Sequence, residues 1–446
     1  MEFARSLRRL WRHQLFRRLL AVRVATQSCD GLLQIALASY VLFSPERQPD
    51  AVSIATVLAV TLLPFSVLGP FVGIVLDRWS RRQIMVAVDL SRSVIALGLA
   101  ALVATGIRGG VIEIVFYGLV LLAQSLNRFL LAALSAALPH TIDDDEYLVA
   151  NSVVPTVGPA GVLIGAGLGT VLRLVLGPQL PASAADAILF AVAAGGYVLS
   201  ASLALRIPRD SLGPDDVEPA KAGDVLAGLV GAVRHLQERR PAGLGLLTIG
   251  AHRIVYGLVT VATILVYRNY FHTVAEVEPA IADLGLLVVV TGAGFVLAAA
   301  LTPPLIARLG ARAWMVTCLI GSAVFQLLPG AIYTKATLLI AALLLGITAQ
   351  AIKITVDTFV QAYVDDDLKG RVFVLYDMVF NVALVLAAGL GALILPVDGV
   401  SVPILVVLAA VYLLTGVGFA VLTRRLDLSK AGGSLRTPVP AADPLR

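Results

Sequence analysis

Residues 402–423 read VPILVVLAAVYLLTGVGFAVLT, a run of apolar residues without a single charge. At about 1.5 Å rise per residue, a helix of this length covers the ~30 Å hydrocarbon thickness of a bilayer. It has no polar face to turn to water, so its surroundings must be hydrocarbon or protein. Working back from it, eleven more blocks of the same kind are found. The spans are expected near 18–43, 51–76, 84–105, 111–139, 150–174, 184–205, 243–267, 281–307, 313–334, 336–361, 371–395 and 402–423. They predict an all-α integral membrane protein of 12 transmembrane helices. The composition agrees: 58% of the 446 residues are hydrophobic and 14% are charged, against about a quarter charged in soluble domains. Mean hydropathy is +0.90. A soluble enzyme of this length has no interior large enough for so much apolar side chain, and a disordered chain has the opposite composition.

The 39 glycines and 22 prolines suit membrane helices, where small residues allow close packing and neighbours satisfy freed backbone groups. Cys29 and Cys318 each lie inside an apolar block, so neither a structural disulfide nor a thiolate metal site is expected. The first block is long and lacks a small-residue cleavage site, so it is expected to stay as helix 1. The pI near 9.3 has a topological reading rather than a nucleic-acid one. With the N-terminus in the cytoplasm, 24 of the 34 Lys and Arg fall on the cytoplasmic side. Five fall outside (Arg47, Arg108, Arg173, Arg268, Lys335) and five within spans. That bias sets the orientation, with both termini cytoplasmic in a cell membrane.

Residues 207–242 are the one polar, Pro-punctuated interruption, with Pro208, Pro214, Pro219 and Pro241. They divide the chain into a basic tail (1–17), a first six-helix half (18–206), a linker (207–242), a second six-helix half (243–423) and a C-terminal tail (424–446). Inside the linker Val225, Leu226, Leu229, Val230, Val233 and Leu236 recur at helical spacing. They predict an amphipathic helix, lying either on the membrane face or against the bundle. The halves look like repeats. Asp143-Asp144-Asp145 follows helix 4 and Asp365-Asp366-Asp367 follows helix 10; Asp77-Arg78-Trp79-Ser80-Arg81-Arg82 ends helix 2 and Ala307-Arg308-Leu309-Gly310-Ala311-Arg312 ends helix 8. Equivalent placement favours turn capping over metal binding for the aspartate clusters. No His-Glu-x-x-His, Gly-rich phosphate loop or cysteine cluster is present, so no catalytic activity, metal or cofactor is expected. Two parallel six-span halves are what alternating access around a mid-membrane site requires.

The stretch Gly73-Ile74-Val75-Leu76-Asp77-Arg78-Trp79-Ser80-Arg81-Arg82 resembles the G-x-x-x-D-R-x-G-R-R signature of the major facilitator superfamily, with Ser80 in place of the second Gly. Gly73 allows close packing, Asp77 can face a helix N-terminus, and Arg78, Arg81 and Arg82 hold the turn in the headgroup layer. The resemblance implies a conformational latch between halves; a plain positive-inside anchor is the other reading. The second copy lacks the acid. Gly158-Pro159-Ala160-Gly161 in helix 5 resembles the Gly-Pro-rich fifth helix of the superfamily's antiporters, with small-residue packing as the alternative. Lys369-Gly370-Arg371-Val372-Phe373, Tyr376-Asp377 and Asn381 resemble the branch of macrolide and enterobactin exporters, which brings Asp377 into the latch. The likeness covers about residues 15–425.

A charge at the bilayer centre costs ~2.5–3.5 kcal/mol on insertion scales, so each one needs a reason. Asp30 lies mid-way along helix 1, Arg128 in helix 4, His252 and Arg253 in helix 7, and Lys353 and Asp357 in helix 10. The resemblance makes helices 1, 4, 7 and 10 the lining of a central cavity, where Gln27, Gln34, Gln124, Asn127 and Gln350 add neutral polar groups. Lys353 and Asp357 are spaced to pair at i,i+4. Asp30 then faces two arginines. Either it pairs with one and leaves a positive group for an anionic substrate, or it cycles a proton; a static ion-pair web is the third possibility. Asp89 and Arg92, one turn apart in helix 3, read as structural. The expectation is a monomeric secondary active transporter exporting small anionic or amphipathic molecules, driven by the proton gradient rather than a cofactor. A lipid or lipid-linked glycan flippase is the alternative.

Overall fold

The computed structural model describes residues 9–42, 50–72, 79–107, 109–143, 147–209, 211–213, 222–273 and 275–428. Gly73, Asp77 and Arg78 of the signature stretch lie outside them. The described residues are helical, without a strand. Besides a helix in the linker, twelve long helices appear among the described residues: α1 (Gln14–Leu42), α2 (Ala51–Val67), α3 (Arg81–Ala104), α4 (Gly110–Ala137), α5 (Tyr147–Leu176), α6 (Ala182–Leu205), α7 (Arg240–Leu265), α8 (Val277–Leu309), α9 (Ala311–Leu327), α10 (Lys335–Tyr363), α11 (Asp366–Ile394) and α12 (Val402–Leu422). Among the described residues 11 helices are long and apolar enough to cross a membrane. The helix that falls short is α1. It has the length, but Gln27, Asp30 and Gln34 make it the most polar of the set, which already hints at work beyond spanning.

Local chemistry sets the helix starts. Thr334 and Thr337 form a reciprocal capping box at α10, each side-chain oxygen accepting the other's backbone N–H at 3.2 Å. Ser401 caps α12 by accepting from the Ile404 N–H at 3.4 Å, with Pro403 in the first turn, where its missing N–H costs nothing. Gly109 and Gly310 precede α4 and α9 with φ of 85° and 83°, left-handed turns that a side chain resists.

The chain divides into two compact units. One comprises Met1–Pro49, Thr56–Val225 and Val274–Ile281; the other comprises Asp50–Ala55, Leu226–Thr273 and Ala282–Arg446. Inside the first, α1 packs on α5 and α6, and α3 packs on α6 and α4. Inside the second, α7 packs on α11 and α12, and α9 packs on α12 and α10. These pairings are identical under an offset of six helices. The repeat extends to single bonds. Arg82, at the start of α3, donates to the Leu205 carbonyl at the end of α6 (3.2 Å). Arg312, at the start of α9, donates to the Thr423 and Leu426 carbonyls beyond α12. In each half an arginine satisfies carbonyls that a helix C-terminus leaves orphaned.

The linker contains a helix, Ala222–Glu238. Ala232 and Leu236 join the apolar core of the second unit, while Leu226, Val230 and Val233 are exposed. The helix therefore docks on protein by one face and keeps an apolar face outward. Its far end is fixed by Arg239, which donates to both Asp365 oxygens at 2.8 and 3.0 Å, with His235 Nε2 3.8 Å from the same carboxylate. The hydrogen bond from Arg239 holds the Asp365 carboxyl below its usual range. A depressed carboxylate contributes stability above its unfolded pKa of about 4 and loses it as pH falls through the lower folded value. The protection of the Leu229–Glu238 amides, taken against the intrinsic exchange rate at each pH, is therefore expected to fall below about pH 4. In Asp365→Asn that acid-specific loss of protection should vanish.

The glycines of α5 are explained by α1. A Cβ on Gly165 would collide with the Ser28 carbonyl, one on Gly31 with the Val162 carbonyl and the Ala166 nitrogen, and one on Gly161 would press on the Val24 carbonyl at 3.2 Å. Gly158 makes room for the Gln27 side chain. The obstacle at Gly165 is backbone and cannot swing away. Gly165→Val is expected to cost at least the upper end of ~1–3 kcal/mol. Gly167→Val, where nothing lies within 4 Å, should be tolerated. Thermal unfolding in detergent compares the two.

Candidate functional site

In the first unit, Asp89 and Arg92 stand one turn apart on α3, on the side that meets α1, α4 and α6. All three neighbours contribute. Arg92 forms an ion pair with Asp30 of α1, and Tyr197 of α6 donates to the same Asp30 oxygen at 3.0 Å. Arg92 also donates to Tyr197 Oη at 2.7 Å and to Asn127 Oδ1 of α4 at 3.3 Å. Its guanidinium lies 4.2 Å from the Tyr197 ring centroid. Thr26 of α1 donates to Asp89 Oδ1 at 3.0 Å, and Arg92 Nη1 is 3.9 Å from that oxygen. Asp30, Asp89, Arg92 and Tyr197 are 4%, 0%, 1% and 0% exposed, so the cluster is sealed.

This changes the expected pairing. The partner of Asp30 is Arg92, not Arg128 or Arg253, and the α3 charges read as separate structural elements belong to the same network. Arg128 is half-buried and packs its guanidinium against Gly69. Gln34 is exposed; Asn127 belongs to the cluster. A second buried ion pair joins Arg173 of α5 to Asp186 of α6 at 3.0 Å. Ser39 of α1 bridges them, and Arg173 reaches Glu278 at 3.5 Å. Arg173, placed at the outer surface by the sequence, is 2% exposed.

In the second unit, Lys353 and Asp357 pair at 2.8 Å as their spacing predicts. His252 is fully buried between Tyr256 and Tyr412, with ring centroids 5.7 and 5.6 Å away. Neither of its nitrogens has a hydrogen-bond partner among the described residues. Arg253 is 7% exposed. Its guanidinium stacks 3.6 Å from the centroid of Phe380 on α11 and 5.5 Å from Tyr256. No carboxylate among the described residues lies within ion-pair distance of it. The two buried guanidiniums thus differ in kind: that of Arg92 is faced by two carboxylates, while among the described residues that of Arg253 has ring contacts and no ion pair.

Arg81 and Arg82 of the signature are engaged inside the first unit. Arg81 donates to the Leu212 carbonyl at 2.7 Å and contacts the His140 ring, Arg82 reaches Leu205, and the Ser80 hydroxyl donates to the Arg209 carbonyl at 2.9 Å. They fasten the segment after α6. With Gly73, Asp77 and Arg78 outside the described residues, the latch stays an expectation.

Sequence reasoning missed Tyr197, Thr26, Asp186, Phe380 and Tyr412 as site residues. One available signal was overlooked: the insertion cost argued for Asp30 applies equally to Asp89 and Arg92. Among the described residues no group of three or more His, Cys, Asp or Glu could hold a metal ion.

Twelve helices in two equivalent sixes, with charged groups buried at mid-helix, define a polytopic membrane transporter. A model of the Major Facilitator Superfamily matches residues 246–442. Uncharacterized MFS-type transporters of Mycobacterium bovis and Mycobacterium tuberculosis are each 34% identical over 407 residues, covering 90% of this chain and 89% of the relative. The chain belongs to the major facilitator superfamily. Solved structures share its fold: a nucleoside transporter, NupG, at a TM-score of 0.69 and 13% identity, covering 92% of this chain and all of the other; and an auto-inhibited peptide transporter of the POT family at 0.65 and 15%, covering 92% and 97%.

Proposed function

We propose that this transporter exports small anionic or amphipathic molecules by alternating access, in exchange for protons, as a monomer in the cell membrane with both termini cytoplasmic. The observation that carries the substrate class is Arg253. A buried cation without a carboxylate costs several kcal/mol in desolvation, and stacking on aromatic rings returns only about 0.5–2 kcal/mol. Such a group is retained where a visiting anion completes it. The flanking rings of Phe380, Tyr256 and Tyr376 suit a ligand with an apolar or aromatic body beside its charge. Lys353, over Tyr376 at 5.6 Å, adds a second cation whose charge Asp357 balances. Proton exchange is supported by the ionisable carboxylates inside α1 and α3. The outward direction follows the likeness of α5 and α11 to exporter motifs.

The test is reconstitution in liposomes with an imposed pH gradient and a panel of labelled aromatic carboxylates, phosphate esters and neutral analogues. Gradient-driven movement of the anions that collapses with an uncoupler and needs no ATP is expected. Movement of neutral analogues at equal rates would overturn the substrate class, and insensitivity to the uncoupler would overturn the coupling. Fluorescent-lipid translocation in the same vesicles would support the flippase reading instead.

A further inference from the structure

We infer that Asp89, and not Asp30, is the carboxyl group that takes up and releases the coupling proton. The inference rests on the proton-exchange reading above and assigns the atom.

The argument begins with charge. Asp30, Asp89 and Arg92 are buried together, and with both carboxylates ionised they carry a net negative charge that no water screens. Two carboxylates facing one guanidinium do not both stay ionised at low cost, and one proton relieves the excess charge.

Geometry then separates the two acids. Asp30 has the direct ion pair with Arg92 and a hydrogen bond from Tyr197, and both stabilise its ionised form. Asp89 accepts from the Thr26 hydroxyl at Oδ1, has the Ser200 hydroxyl beside its carboxylate, and has a guanidinium nitrogen at 3.9 Å. Its Oδ2 is buried and makes no hydrogen bond. An ionised carboxylate with an empty oxygen in a dry interior is the costlier of the two. The O–H bond therefore forms at Asp89 Oδ2: a proton from solution converts the carboxylate to the neutral acid, and its departure restores the charge.

The groups facing Asp89 are Arg92 on its own helix, Thr26, Cys29 and Asp30 on α1, and Ser200 on α6. The Ser200 hydroxyl is directed to the Val22 carbonyl at 3.4 Å. Arg92 links the acids: any movement of α1 against α3 that loosens Asp30 from Arg92 frees the guanidinium for Asp89 and expels the proton. Arg92 is thus a positioning residue.

The test needs no substrate. Infrared difference spectra of the purified, lipid-reconstituted protein between acid and alkaline buffer report the carbonyl stretch of a protonated, buried carboxylic acid. The parent protein should show one such band. Asp89→Glu should shift its frequency, and Asp30→Glu should leave the frequency unchanged. Asp89→Asn imitates the protonated form, so it should remain folded and lack the band. A band that moves with Asp30→Glu, or no band in the parent, overturns the assignment. If Asp89→Asn fails to fold, the two glutamate variants still decide. Transport in liposomes is scored separately, so uncoupler-insensitive transport would remove the coupling reading while the band still located the proton.

Discussion

Arg92→Met should be the most destabilising single substitution in the first unit. The guanidinium is buried and touches four side chains on three other helices: Thr26, Asp30, Asn127 and Tyr197. Its removal leaves Asp30 and Asp89 facing each other with no cation. Breaking a buried pair by deleting one partner costs ~3–5 kcal/mol, because the desolvation of the remaining charge is no longer offset. The variant should therefore give little monodisperse protein at pH 7.5. Folding should partly return in acid, or when Asp30→Asn and Asp89→Asn are added, because both routes neutralise the stranded carboxylates. Size-exclusion profiles and unfolding temperatures across pH read this directly. An Arg92→Met protein with the parent's unfolding temperature at neutral pH would show that the cluster does not hold α1, α3, α4 and α6 together.

The same cluster shows where sequence reading stops. The spans were legible because hydrophobic length has one physical meaning in a bilayer, and the repeat was legible because Arg82 and Arg312 occupy equivalent turns. The pairing of Asp30 was not legible. A buried charge announces that it needs a partner, but two arginines on helices 4 and 7 and one on helix 3 meet that need equally on paper. Only packing selects Arg92, by laying α3 beside α6 and α1 at the same depth. The glycines of α5 teach the converse. Gly158, Pro159 and Gly161 resemble an antiporter motif, yet the contacts of Gly158 and Gly161 are those of a close seam with α1, where Gly165 and Gly31 admit backbone atoms. A motif and a packing requirement can occupy the same residues. Aromatic rings such as Phe380 and Tyr412 were hidden for a different reason: in a chain this apolar, a ring facing a charge looks the same in sequence as a ring facing lipid.

Arg253→Leu should act in the opposite sense to Arg92→Met. Arg92 is faced by two carboxylates, so its loss strands two acids; Arg253 has no carboxylate partner among the described residues, so its loss strands nothing. Replacing an uncompensated buried cation with an apolar side chain removes a desolvation cost larger than the stacking it forfeits. The unfolding temperature of Arg253→Leu should equal or exceed the parent's. Binding should move the other way. A hydrogen bond to a charged group is worth about 1.5–3 kcal/mol, and each 1.4 kcal/mol is tenfold in affinity. Affinity for an anionic substrate should therefore fall by about 10- to 100-fold, with neutral analogues little affected. Arg253→Lys should fall between, since an ammonium keeps the charge but lacks the planar fork that stacks on Phe380. This pairing of gained stability with lost function is the signature of a residue kept for a ligand rather than for the fold. A less stable Arg253→Leu protein would instead mean that the guanidinium is bound by groups of the chain itself, and the anionic substrate class would lose its support.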